Sequence, residues 1–118
     1  MAEGIGQDCL PANVHFQYID KIINVSDKDS FSAARRLTKE DGIFCGGSTG
    51  TIVSAALTIA KECNEDDVIA FIVCDTGERY LSSLYNDEWL ESNNILLKES
   101  DYSSEVFVDE ELSEQLAS

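Results

Sequence analysis

The stretch IFCGGSTGTIVSAALTIA, residues 43–60, constrains the fold of this chain more than any other. A short apolar run meets a glycine pair, then Ser48, Thr49 and Gly50, and then an amphipathic pattern. A strand, a tight turn and a helix N-terminus give that order. At such a turn glycines let a ligand approach the backbone, and the first helical N–H groups point outward without acceptors. Two phosphate-binding signatures are missing: no lysine follows to complete G-x-x-x-x-G-K-[ST], and the glycines do not fall as G-x-G-x-x-G. On the residues alone, the turn is either a plain helix cap or a ligand site.

The flanking sequence supplies the context. Residues 1–20 show no period and hold the single proline. KIINV, residues 21–25, predicts a short buried strand. Ser26 predicts an N-cap, with Asp27 and Asp29 in the first turn, where the helix dipole favours anions. Phe31, Ala34 and Leu37 then recur at helical spacing, and Gly42 supplies the stop, for a helix of about four turns. Residues 43–47 predict a second strand and its turn. The following helix places Ile52, Val53, Ala56, Ile59, Ala60 and Cys63 on one stripe, until NEDD at 64–67 ends it. VIAFIVC, residues 68–74, is apolar throughout, as expected of a strand covered on both faces. DTGERYLSSLYNDEWL, residues 75–90, begins with a turn and reads as broken helix.

Strand alternating with helix predicts an α/β fold, a partial parallel sheet with flanking helices. Three strands are few for a doubly wound sheet, so the chain reads as part of one. The turns after Val25, Cys45 and Cys74 would share the carboxyl edge, where ligands collect in such sheets.

At 118 residues the chain suits one domain with a modest core. Its net charge of −15 repels phosphate backbones and anionic bilayers, so neither nucleic acid nor membrane is expected as a partner. No apolar run approaches the roughly 18 residues of a membrane span. MAEGIGQD lacks the basic and apolar regions of a secretory signal, so a cytoplasmic location is expected. Residues 99–118 hold seven acids and no base, and predict an acidic linker or tail over 98–118. Cys9, Cys45, Cys63 and Cys74 are scattered, and His15 is the single histidine, so no metal site is expected. Cys45 and Cys74 lie in apolar runs and read as small core residues. Arg79 and Tyr80 read as anchors of the last turn. Tyr85 and Trp89, four apart, read as a packed helix-face pair.

The order of segments carries a resemblance. EGIGQDCLP is followed by IDKIINVSDKDSFSAARRLTKEDGIFCGGSTG and then by DTGERYLSSLYNDEWL. Residues 3–97 resemble the C-terminal part of the catalytic core of cystathionine β-synthases and cysteine synthases, pyridoxal-phosphate enzymes of fold type II. The resemblance implies the last third of such a domain over residues 1–97. It implies that Ser48 hydrogen-bonds the pyridine nitrogen of pyridoxal 5'-phosphate. A serine hydroxyl is a weak neutral donor that leaves this nitrogen largely unprotonated, a moderate electron sink suited to β-elimination and β-replacement. Gly46 and Gly47 belong to the same turn, Asp75 and Thr76 match the turn beside the nitrogen edge, and Gly4, Ile5 and Gly6 match a segment bordering the substrate. Gln7 stands where many cystathionine β-synthases have tyrosine, Cys9 where phenylalanine is common and Cys74 where proline is usual.

The resemblance also implies what lies elsewhere. The Schiff-base lysine and the phosphate loop belong to an N-terminal part, and Lys21, Lys28, Lys39, Lys61 and Lys98 occupy no matching context. The chain alone is therefore expected to carry no catalytic residue and to be inactive without the missing N-terminal part of the domain. The function expected of a complete protein is condensation of serine with homocysteine to cystathionine, in transsulfuration. The alternatives are O-acetylserine with sulfide, as in cysteine synthase, or a non-catalytic acidic interaction module or pseudoenzyme fragment. YNDEWL leans towards cystathionine β-synthase, and the parent is expected to be a homo-oligomer.

Overall fold

A computed structural model describes residues 2–5 and 11–98. The expected acidic tail from residue 99 onward, Gly6, Gln7 and Cys9 lie outside the described residues. Helix α1, Asp27–Asp41, starts where the sequence places it: the Ser26 hydroxyl accepts the Asp29 N–H at 3.0 Å. It ends at Gly42, whose φ of 70° is the left-handed conformation that glycine adopts without a Cβ penalty. Helix α2, Gly47–Ala60, packs directly on α1. The contact centres on Gly50, where a Cβ would collide with the Ser30 carbonyl and come within 2.9 Å of the Ala34 Cβ. Ser30 Oγ and Thr51 Oγ1 share a hydrogen bond of 2.7 Å across the same crossing.

The core gathers Phe31 and Ala34 of α1, Cys45 of the turn, and Leu84, Leu90 and Ile95 from the C-terminal third. That third comprises a 3₁₀ turn at Gly77–Tyr80 and a short helix α3, Asp87–Ser92, capped by Asn86. Polar clamps fasten it to the helices. Arg35 Nε donates to the Leu84 carbonyl at 2.7 Å, and its Nη1 pairs with Asp87 at 2.6 Å. The Tyr85 hydroxyl donates to the Cys45 carbonyl at 2.6 Å and meets the Thr38 hydroxyl at 2.9 Å. Tyr85 and Trp89 are not a helix-face pair, because Tyr85 precedes α3. Trp89 packs on Phe31 with ring centroids 6.2 Å apart, and Tyr85 on Phe44 at 5.0 Å.

The expected parallel sheet is not found among the described residues. Among the described residues the β pairing is a single antiparallel bridge between Cys45 and Thr76, beside a bond of 3.1 Å from the Gly77 N–H to the Phe44 carbonyl. Residues 21–25 and 68–74 are irregular. A strand holds only when a neighbour takes its backbone N–H and C=O groups, and these runs face solvent instead: Ile22 is 72% exposed, Val68 93% and Ile72 74%. The described unit is thus mostly helical, with two apolar runs uncovered. Two further expectations change for the same reason. Cys45 is buried, as its apolar setting suggested, but Cys74 is exposed. Of the α2 stripe only Val53 is buried; Ala60 is exposed and Ile52, Ala56, Ile59 and Cys63 are half-covered. Among the described residues no helix is long and apolar enough to cross a membrane, and no cluster of side chains is placed to hold a metal ion.

Candidate functional site

One face of α2 forms the wall of an open cleft of about 720 Å³. Ser48, Thr51, Ile52 and Ala55 line it, at the i, i+3, i+4, i+7 spacing that brings side chains to one side of a helix. The N-terminal segment Glu3–Ile5 lines it as well, together with Ile23, Val25, Cys74, Asp75, Arg79 and Tyr80. The volume lies in the range of small-molecule sites, about 300–1,000 Å³. None of the five lysines of the chain lines it.

Of the residues singled out by sequence, Ser48, Asp75, Gly4 and Ile5 come together in this cleft. Gly46, Gly47 and Thr76 do not line it. Gly46 precedes the first residue of α2 and carries the Asp75 carboxylate and the Tyr80 ring so close that a Cβ would overlap both. Gly47 packs on Phe31, where a Cβ would lie 2.9 Å from the ring. Thr76 is exposed and makes the bridge to Cys45.

Two residues with a part in the site were missed or undervalued. Thr49 is wholly buried, and its hydroxyl accepts the Cys74 N–H at 3.0 Å, which ties the turn before Asp75 to the first turn of α2. In sequence Thr49 and its neighbour Ser48 are alike, and only the contact between the two turns separates them. Tyr80 anchors the turn, as the sequence suggests, but it does so by donating its hydroxyl to Asp75 Oδ2 at 2.5 Å, and it also lines the cleft. The bond to Asp75 and then partial burial push the Tyr80 phenol above its usual pKa, with the charges of Asp75 and Glu3 adding and Arg79 opposing. The other Asp75 oxygen, Oδ1, is buried without a hydrogen-bond partner.

The Ser48 hydroxyl makes no hydrogen bond with any described residue. With it, the first-turn N–H groups of Gly47, Ser48 and Thr49 have no acceptor within the helix, and the positive end of the helix dipole lies at this point. The cleft therefore offers a neutral hydroxyl donor in a weakly positive setting, flanked by apolar Ile52 and Ala55. A flat heteroaromatic ring with an acceptor nitrogen at its edge suits that donor set, so the residues present fit the nitrogen edge of pyridoxal phosphate.

Comparison with known proteins agrees. The family model described as pyridoxal-phosphate dependent enzyme matches residues 1–75. The chain is 37% identical over 94 residues to the cystathionine beta-synthase of Dictyostelium discoideum, covering 80% of this chain and 19% of that protein. Identity is 38% over 94 residues to the Apis mellifera cystathionine beta-synthase, with coverage of 80% and 19%. It is 38% over 96 residues to that of Saccharomyces cerevisiae, with coverage of 79% and 19%. The chain thus spans about a fifth of the length of these relatives, in which 19% is matched. A family match over residues 1–75 and relatives this similar, laid over a cleft whose donors suit the cofactor ring, make the chain a member of the pyridoxal-phosphate-dependent enzyme family.

Proposed function

We propose that this segment is the ring-nitrogen wall of the active site of a β-replacement enzyme of the cystathionine β-synthase type, which joins serine to homocysteine. The observation that carries the reading is the Ser48 hydroxyl, unpartnered at the start of α2 and open to the cleft. When bound, pyridoxal phosphate supplies the electron sink for bond breaking at the α- and β-carbons of an amino acid. The protein's part here is to hold and bias that ring. Ser48 donates a neutral hydrogen bond to the nitrogen, Ile52 and Ala55 cover the ring's flank, and the α2 dipole disfavours a proton on the nitrogen. Gly4 and Ile5 border the substrate side, where the amino acid is held.

No lysine reaches this cleft, and the resemblance to the family puts the residue that would attach the group covalently and move the α-proton in an N-terminal part of the domain. The same holds for the phosphate-binding loop. The relatives bearing the name cystathionine beta-synthase are what supports homocysteine as the acceptor in this reading. The rest of the reading is a homo-oligomeric, cytoplasmic enzyme acting on amino acids.

The test is Ser48→Ala in a complete protein carrying this segment. The absorption spectrum of the bound cofactor shifts, and β-replacement slows about tenfold, the equivalent of one neutral hydrogen bond of roughly 1.4 kcal/mol. An unchanged spectrum with an unchanged rate refutes the assignment.

A further inference from the structure

Two groups of opposite consequence share the wall where the ring nitrogen would lie. Ser48 is neutral; Asp75 is a carboxylate lining the same cleft. A carboxylate that meets a pyridine nitrogen keeps a proton on it, because the ion pair favours the charged form, whereas a hydroxyl does not. The chemistry of the site therefore depends on which of the two reaches the ring.

The structure shows what restrains the carboxylate. Its Oδ2 is taken by the Tyr80 hydroxyl at 2.5 Å. Its Oδ1 is buried rather than open to the cleft. Both oxygens sit against the Gly46 backbone, since a Cβ on that residue would overlap Oδ1 and lie 2.9 Å from Oδ2. The turn below is fixed independently by the Thr49 hydroxyl on the Cys74 N–H and by the bridge from Thr76 to Cys45. The carboxylate is thus folded into the wall by a phenol from five residues further on, while Ser48 stays unpartnered at the surface of the cleft.

We propose that Tyr80 is a positioning residue: it holds Asp75 against Gly46, so that the neutral hydroxyl of Ser48, and not the carboxylate, faces the ring nitrogen. This rests on the reading of Ser48 given above and adds to it the device that sets the proton state of the ring. Glu3 and Arg79 are the other charged groups at this end of the cleft. They are of opposite sign, and Asp75 is the charge that lies against the Gly46 turn itself.

The test uses a complete protein carrying this segment, loaded with pyridoxal phosphate labelled with ¹⁵N in the ring. Its nitrogen resonance reports protonation directly, apart from activity. The native protein gives the resonance of an unprotonated ring. Tyr80→Phe frees the carboxylate and moves the resonance towards the protonated position, and the double variant Asp75→Asn with Tyr80→Phe returns it. A folded Tyr80→Phe protein with the native resonance overturns the proposal. Should that variant not fold, Asp75→Asn alone decides. The native resonance is expected, and a changed one means that the carboxylate already faces the ring, which also overturns it. Ser48→Ala separates this outcome from failure of the underlying reading: if it leaves the resonance unmoved, Ser48 does not face the nitrogen, whatever Tyr80 does.

Discussion

Thr49 is fully buried one residue past Ser48, and its hydroxyl is the link between the two turns that make the site. Replacing it with valine keeps the shape and removes the acceptor. Thr49→Val is expected to cost about 1 kcal/mol and to speed hydrogen exchange at the Cys74 amide, with exchange in α1 unchanged. An unaltered Cys74 rate would show that the Thr49 hydroxyl does not hold the turn, leaving that to the Cys45–Thr76 bridge and the Gly77 and Tyr80 bonds. Sequence could name Ser48 and Asp75, because a resemblance works position by position. It could not rank Thr49 or see the bond from Tyr80 to Asp75, because both meanings arise from contacts between segments 25 and five residues apart. Cys45 and Cys74 show the same limit. Both sit in apolar runs, yet burial raises the pKa of the Cys45 thiol while Cys74 lies exposed at the cleft.

At the level of elements, α1 was legible to the residue because its signals are local. The Ser26 cap, two acids in the first turn and a left-handed Gly42 depend on nothing distant. The α1–α2 crossing was not visible in the same way, since the hydrophobic stripe included Val53, which is buried, but not Gly50, where the backbone approach is closest. A glycine in mid-sequence is silent until a partner backbone arrives. Gly50→Ala gains helix propensity but forces the Ser30 carbonyl away, so a net loss of about 1–2 kcal/mol is expected, read as a lower urea midpoint at unchanged slope. Equal or greater stability would mean that the two helices yield without cost. The sheet failed as an expectation for the converse reason. KIINV and VIAFIVC have the composition of strands, but a strand is a property of a pair, and neither run meets a second strand among the described residues.

Across the whole molecule, the two uncovered runs and the strong negative charge act against each other. Segment 68–73 carries six successive uncharged residues with no proline, five of them large and at least 38% exposed, which is the pattern of an edge that recruits another chain. Mutual repulsion at a net charge of −15 keeps copies apart at neutral pH. Protonating carboxylates removes that repulsion and leaves the apolar runs as they are. Light scattering by the 118-residue chain should therefore rise steeply as pH falls towards 4.1, and Ile72→Lys should suppress the rise at a given net charge. Equal scattering from the variant would place the sticky surface elsewhere. In isolation the chain behaves as a charge-stabilised colloid, so acid and added salt, which remove or screen its repulsion, are the conditions that shorten its shelf life.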